Sequence, residues 1–458
     1  MTRQLKLMLL LLPIHLAMAG ESVVDRYVQQ GLQNNLALRQ ADFSLQQATA
    51  SLNEARGMFL PSLGIEARYT RAGGGRTIDI PIRDLTMMMG QLFLPEGSTI
   101  QIPASIQNQS EPFLREKEHE TKIRVVQPVF QPKILWNYQL QREMQHMQSA
   151  SRLVFARSLV AEMKASYFNY LKANQIVALL SETRTLLNEN LRVSQSLYEN
   201  DKVTRSVVYR AEAELHAFIQ QQAEAEKGKV MAGAYFNFLL NRELDTPIFV
   251  DTLAEAESIL PNLPEALQQA LASREELAQM RALVDVMDKK VKLEQAGFLP
   301  GVSAVVDYGY QGETYDFSDE NDYWMASLVA SWNLFNGFQD KHKMDRAKLE
   351  KMQRETQLEE VRNQIKLQVR DAYQNLIVGM QQVEAAGAEE KSAQQSFRMI
   401  EKQFREGMVS QIEFIDARNA KTRAEVNAIV SRYDFQIRQA EWEKTVADYP
   451  VSALQNEE

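Results

Sequence analysis

The chain has 458 residues, no cysteine, and 51 lysines and arginines against 60 aspartates and glutamates, a formal charge of −9. Without cysteine it holds neither a disulfide framework nor a lipid-modified cysteine, and so acidic a chain disfavours nucleic acid as a partner. No later segment approaches the roughly 18 uninterrupted apolar residues of a membrane-spanning helix; the best, Val230 to Leu240, is broken by Asn237.

Residues 1–19 read as a secretory signal, with Arg3 and Lys6 as the charged start, Leu7 to Leu12 as the apolar run and Ala17-Met18-Ala19 as the cleavage site. Cleavage before Gly20 removes two positive charges and no acid, so −9 becomes −11. What remains is written twice. Gln29, Gln30, Leu32, Leu38, Gln40, Phe59, Leu60 and Pro61 recur 239 positions later as Gln268, Gln269, Leu271, Leu277, Gln279, Phe298, Leu299 and Pro300. Leu197 to Leu215 matches Gln403 to Lys421 at offsets of 205 and 206, so the first copy carries about 34 extra residues. Such a period indicates a duplicated unit rather than a solenoid. The first repeat is placed at 20–245, a proline-punctuated linker at 246–261, the second repeat at 262–445 and a polar, acidic tail at 446–458.

In chain order, each repeat reads as helix, strand, loop, strand, long helix, turn, long helix. After Pro61, Leu63, Ile65, Ala67 and Tyr69 alternate with polar residues, as a strand with one apolar face requires. The extra residues of the first copy, roughly Ala72 to Phe113, form a loop whose apolar runs, Met87-Met88-Met89 and Leu92-Phe93-Leu94, suggest packing as a short helix or across a barrel mouth. A second strand runs from Lys122, with Ile123, Val125 and Val129 on its apolar side. Between Pro132 and about Glu199 there is neither proline nor glycine, which allows a single helix of roughly 100 Å at 1.5 Å per residue. Thr204 stands ready to cap the next helix. A third strand presents Val302, Ala304, Val306, Tyr308 and Tyr310, and a fourth runs from Trp324 to Leu334. Beyond them Val361, Ile365, Val369, Ala372, Leu376, Met380 and Val383 step by three or four, the packing seam of another long helix. Gly407 can end that helix in the left-handed conformation, and Ser410 can cap the last one.

Four strands of about ten residues with aromatic ends have the length and pattern of membrane barrel strands, with Tyr69, Tyr308, Tyr310, Trp324 and Trp332 as a belt against outer membrane lipid. A small sheet packed on soluble helices would show the same alternation. Four strands cannot close a barrel, whose minimum is about eight, whereas three copies give twelve. His119, His146, His216 and His342 show no metal-ligand spacing, and neither a nucleophile elbow nor a phosphate-binding glycine loop is present. No catalytic site, cofactor or metal is expected.

The duplicated halves, the Phe-Leu-Pro lead-ins, the Gln127 to Phe130 and Trp332 to Gly337 strand exits, and the turns at Asp201 and Gly407 resemble, in this order, the TolC family of outer membrane efflux channels. The fold class this implies is mainly α with a membrane β-barrel: a duplicated helix-strand-strand-helix unit, assembled as a homotrimer with a 12-stranded barrel and a long periplasmic α-helical tunnel. The resemblance further implies an exit duct without enzyme activity, joined through a periplasmic adaptor to an inner-membrane RND or ABC-type pump. Its cargo would be drugs and metals in tripartite efflux, or proteins in type I secretion. Glu413 and Asp416 occupy the family's two acidic positions at the tunnel entrance, and Asp201, Val203, Gly407 and Val409 its adaptor-docking turns. Asp201 replaces the usual glycine, Phe404 the usual tyrosine, Val409 the usual basic residue and Val207 the usual acid, so the family's hydrogen-bonded lock is not expected. A periplasmic coiled-coil adaptor or scaffold without a pore is the competing reading, sharing the signal and the long helices.

Overall fold

The computed structural model describes residues 22–93, 95, 101–250, 260–406 and 408–451. The signal, the middle of the 246–261 linker, Gly407 and most of the tail lie outside the described residues. Contacts group the chain into two compact units, residues 50–142 with 286–351 and the remainder, and each unit draws on both repeats.

The first of these units holds an antiparallel sheet of β1 (Ser62–Arg71), β4 (Lys117–Phe130), β5 (Gly301–Gly312) and β6 (Asp322–Ser331), in that spatial order. Its register sets Ile65 opposite Ile123, Ile123 opposite Tyr308 and Tyr308 opposite Trp324, so an apolar row runs across all four strands. β1 and β6 are left as edges. The second strand starts five residues earlier than its alternation suggested, at Lys117. Lys117 to Thr121 carry charged or polar side chains on both faces, and only the ladder to β1 reveals them as strand. The fourth strand ends at Ser331, short of Leu334. Ser331 pairs with Gly301, the first residue of β5, and Pro300 before it has no N–H to extend the ladder to Trp332.

The long loop of the first repeat forms a small hairpin, β2 (Thr77–Ile80) with β3 (Gln109–Pro112), and an amphipathic helix, α3 (Ile82–Phe93). Asn108 holds the start of α3 through Arg83 N at 3.1 Å and Asp84 Oδ2 at 3.1 Å. The helix forms as expected, but none of its residues is buried in the chain.

The other unit is helical. α1 (Val23–Asn34) and α2 (Leu36–Gly57) meet at Asn35, as α6 (Leu263–Ser273) and α7 (Glu275–Gln295) meet at Arg274. Both break residues are extended, at φ −63 ψ 125 and φ −65 ψ 123, and each N–H bonds back to Gly31 or Ala270. Their side chains differ but do the same thing: Asn35 Nδ2 donates to Leu239 O at 2.8 Å and Arg274 Nη1 to Thr445 O at 3.2 Å. Those carbonyls close α5 (Arg205–Leu239) and α9 (Gln411–Val446), the second long helix of each repeat. Gly31 is required by close approach, since a Cβ there would meet Met163 Sδ at 2.0 Å.

α4 (Pro132–Glu199) spans the expected segment as one helix, and α8 (Gln339–Arg405) is its counterpart. The α8 seam is buried at Ile365, Val369, Ala372 and Leu376. A larger cluster gathers Tyr27, Val28, Leu38, Met163, Tyr167, Phe236 and Tyr433 from α1, α2, α4, α5 and α9. Beside it the Arg157 guanidinium clasps Glu275 through two bonds of 2.6 Å and donates to Tyr449 O at 2.9 Å. Among the described residues no helix is long and apolar enough to cross a membrane.

Candidate functional site

The two faces of the sheet are chemically opposite, and the apolar one is uncovered. Leu63 (73%), Ile65 (76%), Trp324 (75%) and Leu328 (72%) are exposed, in rows shared with Ile123, Val125, Val306 and Tyr308. The other face carries the charges, and they are paired. Arg124 grips Asp307 through two bonds of 2.8 Å and reaches Glu66 at 3.2 Å; Lys122 and Tyr323 hold Glu120 at 2.9 and 2.6 Å. A water-soluble sheet does the reverse, burying its apolar face against a partner.

Tyr69, Tyr308, Tyr310 and Trp324 lie on the apolar face. At the loop end of this face Tyr69 and His119 stack on Tyr315, His119 at 4.3 Å, and the His119 Nε2–H donates to Thr314 O. Trp332 lies at the opposite, helix end, just past β6, with Nε1 donating to Phe298 O at 3.0 Å. There it joins exposed Phe59, Leu60, Phe130, Leu299, Phe335 and Phe338. Of this second aromatic group sequence reasoning named only Trp332 as part of the belt. Its signal was present in the Phe-Leu-Pro triplet repeated before β1 and β5.

The helix turns are built alike in both repeats. Asp201 adopts φ 55, and Lys202 N bonds Leu197 O at 2.9 Å, the closing bond of a left-handed helix end. Met408 N bonds Gln403 O at 2.8 Å in the corresponding place. Asp201 is exposed, Val203 and Val409 half-buried, and Gly407 lies outside the described residues.

The caps that follow differ. Ser410 Oγ accepts from Glu413 N while Glu413 Oε2 accepts from Ser410 N, both at 3.3 Å, a reciprocal capping box. Thr204 occupies the cap position of α5, but its hydroxyl pairs with Ser206 at 2.7 Å instead of capping. Val207 stands at the site equivalent to Glu413 and has no carboxylate to reach back. Glu413 therefore secures the start of α9 as well as contributing charge, a role the sequence reading did not give it.

Glu413 and Asp416 share an exposed face of α9. Between them Phe414 turns inward to stack on Phe404 at 4.7 Å and to meet Phe397 at 5.7 Å, an apolar clasp between α8 and α9. Polar links tie α9 to the first repeat: Gln411 Nε2 reaches Ser194 Oγ and Val207 O, both at 3.4 Å, and the buried Arg418 pairs with Glu214. Burial pushes the Glu214 carboxyl up from its ordinary value, with the Asp416 carboxylate adding to the rise, and burial lowers Arg418. This pair joins the two repeats near their turns.

Residues 266–445 match the model of the outer membrane efflux protein family. The chain is 21% identical to outer membrane protein TolC of Escherichia coli strain K12 over 445 residues, which covers 92% of this chain and 81% of that protein. The fold matches the CmeC outer membrane channel of Campylobacter jejuni with a TM-score of 0.75 at 16% identity, covering 93% of this chain and 85% of that one. It also matches the open state of the MtrE outer membrane channel of Neisseria gonorrhoeae, with a TM-score of 0.71 at 16% identity and coverage of 92% and 88%. Residues 266–445 thus carry the pattern of the outer membrane efflux protein family, and the chain has the fold of these outer membrane channels. Those relatives are outer membrane proteins, CmeC and MtrE being channels. A poreless adaptor is disfavoured by the uncovered apolar sheet face as well as by these relatives. Channels of this family are trimers that work with efflux pump components.

Proposed function

We propose that three copies of this chain pair β1 of one with β6 of the next and close a 12-stranded barrel. The observation that carries this is the inside-out sheet, apolar and aromatic on one face and internally paired in charge on the other. Open edges cannot persist in hydrocarbon, because no water satisfies their backbone groups. The apolar face then meets lipid, with Tyr69, Tyr308, Tyr310 and Trp324 in the belt at and below the outer rim and Trp332 at the inner. The Arg124–Asp307 face lines the pore. Repeats 20–245 and 262–445, joined by 246–261, are the duplicated building unit, with 446–458 as the tail.

The assembled chain is then an outer membrane exit duct with its helical part in the periplasm, serving an inner-membrane pump of RND or ABC type through a periplasmic adaptor that docks on the turns at Asp201, Val203, Gly407 and Val409. Detergent-solubilised protein should have the mass of three chains. A monomer that stays soluble without detergent would overturn the barrel.

Glu413 and Asp416 form the acidic constriction at the periplasmic entrance, supported by their shared exposed face one turn beyond the helix turn. Three-fold repetition gives up to six carboxylates at a narrow mouth, which attracts cations. Glu413→Gln with Asp416→Asn should weaken block by trivalent cations added from the periplasmic side in planar bilayers. Glutamine serves a capping box as well as glutamate, so the variant removes charge without uncapping α9. Unchanged block in a trimeric double variant would return both residues to an ordinary solvated helix face.

A further inference from the structure

We infer that Arg71 and Lys117 form a binding site for the phosphate of an outer-leaflet lipid. The inference rests on the barrel reading and assigns a specific ligand to one place on its rim. Arg71 and Lys117 are the last pair of the β1–β4 ladder, directly opposite one another at the end away from the helices. By strand alternation they stand on the face of Tyr69 and His119, one step beyond that aromatic row and on the exterior side of it. In the barrel this is the lipid-facing side at headgroup height, just above the hydrocarbon.

Like charges directly opposed across two strands repel, so this pair costs stability unless an anion lies between them. The chain supplies little relief. The Glu116 carboxylate reaches Arg71 at only 3.7 Å, with both side chains more than 70% exposed, where ion pairs contribute almost nothing. Lys117 makes no ion pair among the described residues, and the neighbouring Arg68 is committed to Glu120 on the pore face. Elsewhere on the sheet nearly every charge has a close partner, which sets this pair apart. The exterior leaflet of an outer membrane is a phosphorylated glycolipid, whose phosphates sit above its acyl chains. A phosphate between the two cations would place those chains along Tyr69, Ile65 and Leu63.

The test compares native mass spectra of the wild-type trimer and an Arg71→Gln, Lys117→Gln trimer, each titrated with lipid A, with its dephosphorylated form and with inorganic phosphate. Lipid A should bind the wild type and bind the variant about thirtyfold more weakly, from roughly a fivefold loss per juxtamembrane cation. The dephosphorylated lipid should bind both alike and weakly. Equal lipid A binding by wild type and variant would overturn the site. Inorganic phosphate binding as tightly as lipid A would overturn the lipid as its ligand. Failure of the wild type itself to form a detergent-dependent trimer would instead refute the barrel, so the two failures are distinct.

Discussion

Leu328→Arg is expected to remove most assembled channel from the outer membrane, while Ser327→Arg, one residue away, leaves it in place. The two positions are neighbours on β6 and face opposite sides of the sheet. Leu328 pairs with Ala304 in the exposed apolar rows, and Ser327 with Val305 on the side that carries Arg124 and Asp307. A charged side chain turned toward lipid near the bilayer midplane costs about 2–4 kcal/mol, and it appears three times in a trimer. The same arginine turned toward the pore stays in water and costs little. The amount of trimer in the membrane fraction, and export from intact cells, report the difference. Equal loss from both changes would mean that β6 tolerates no bulk at its edge. Full assembly of Leu328→Arg would mean that the apolar face is not in lipid, and the barrel reading would fall with it.

Much of the architecture was legible because two periodicities dominate it. The proline- and glycine-free run from Pro132 marked α4 as one long helix, and the step of three and four from Val361 marked the buried side of α8. The alternating apolar residues gave the exposed apolar rows of the sheet. What was not legible came from positions where a residue type serves an unusual setting. Lys117 to Thr121 look like loop in sequence, because charged or polar side chains occupy both of their faces, where a soluble strand would place apolar residues on one. Phe59 and Phe298 looked only like markers of duplication, although each opens an aromatic group at the helix end of the sheet. The Ser410 and Glu413 spacing is a capping box on its face, yet the reading of Glu413 as an entrance charge hid it.

Arg418 was passed over entirely, since a charged residue in a polar helix ordinarily faces water. It is 3% exposed, and its Nε and Nη1 find no hydrogen-bond partner among the described residues. Removing its counter-charge should therefore be costly. Glu214→Gln leaves a buried guanidinium uncompensated, which destabilises by about 3–5 kcal/mol when a buried pair is broken from one side. Arg418→Met should be milder, because the remaining Glu214 carboxyl, already raised by burial and by Asp416, can take a proton and become neutral. The sign of its pH dependence follows: a carboxyl raised in the folded state favours folding while protonated, so stability in Arg418→Met should fall as pH rises above the ordinary carboxylate range. Replacing both, Glu214→Leu with Arg418→Met, should recover most of the loss, since well-packed apolar residues commonly substitute for a buried pair without penalty. Hydrogen exchange of the segments around 194–214 and 411–425 measures the order, with protection lowest in Glu214→Gln and highest in the double variant and wild type. If protection is the same in all four proteins, the pair does not hold the repeats together near their turns, and the Phe404–Phe414 clasp with the Gln411 bonds is what remains to do so.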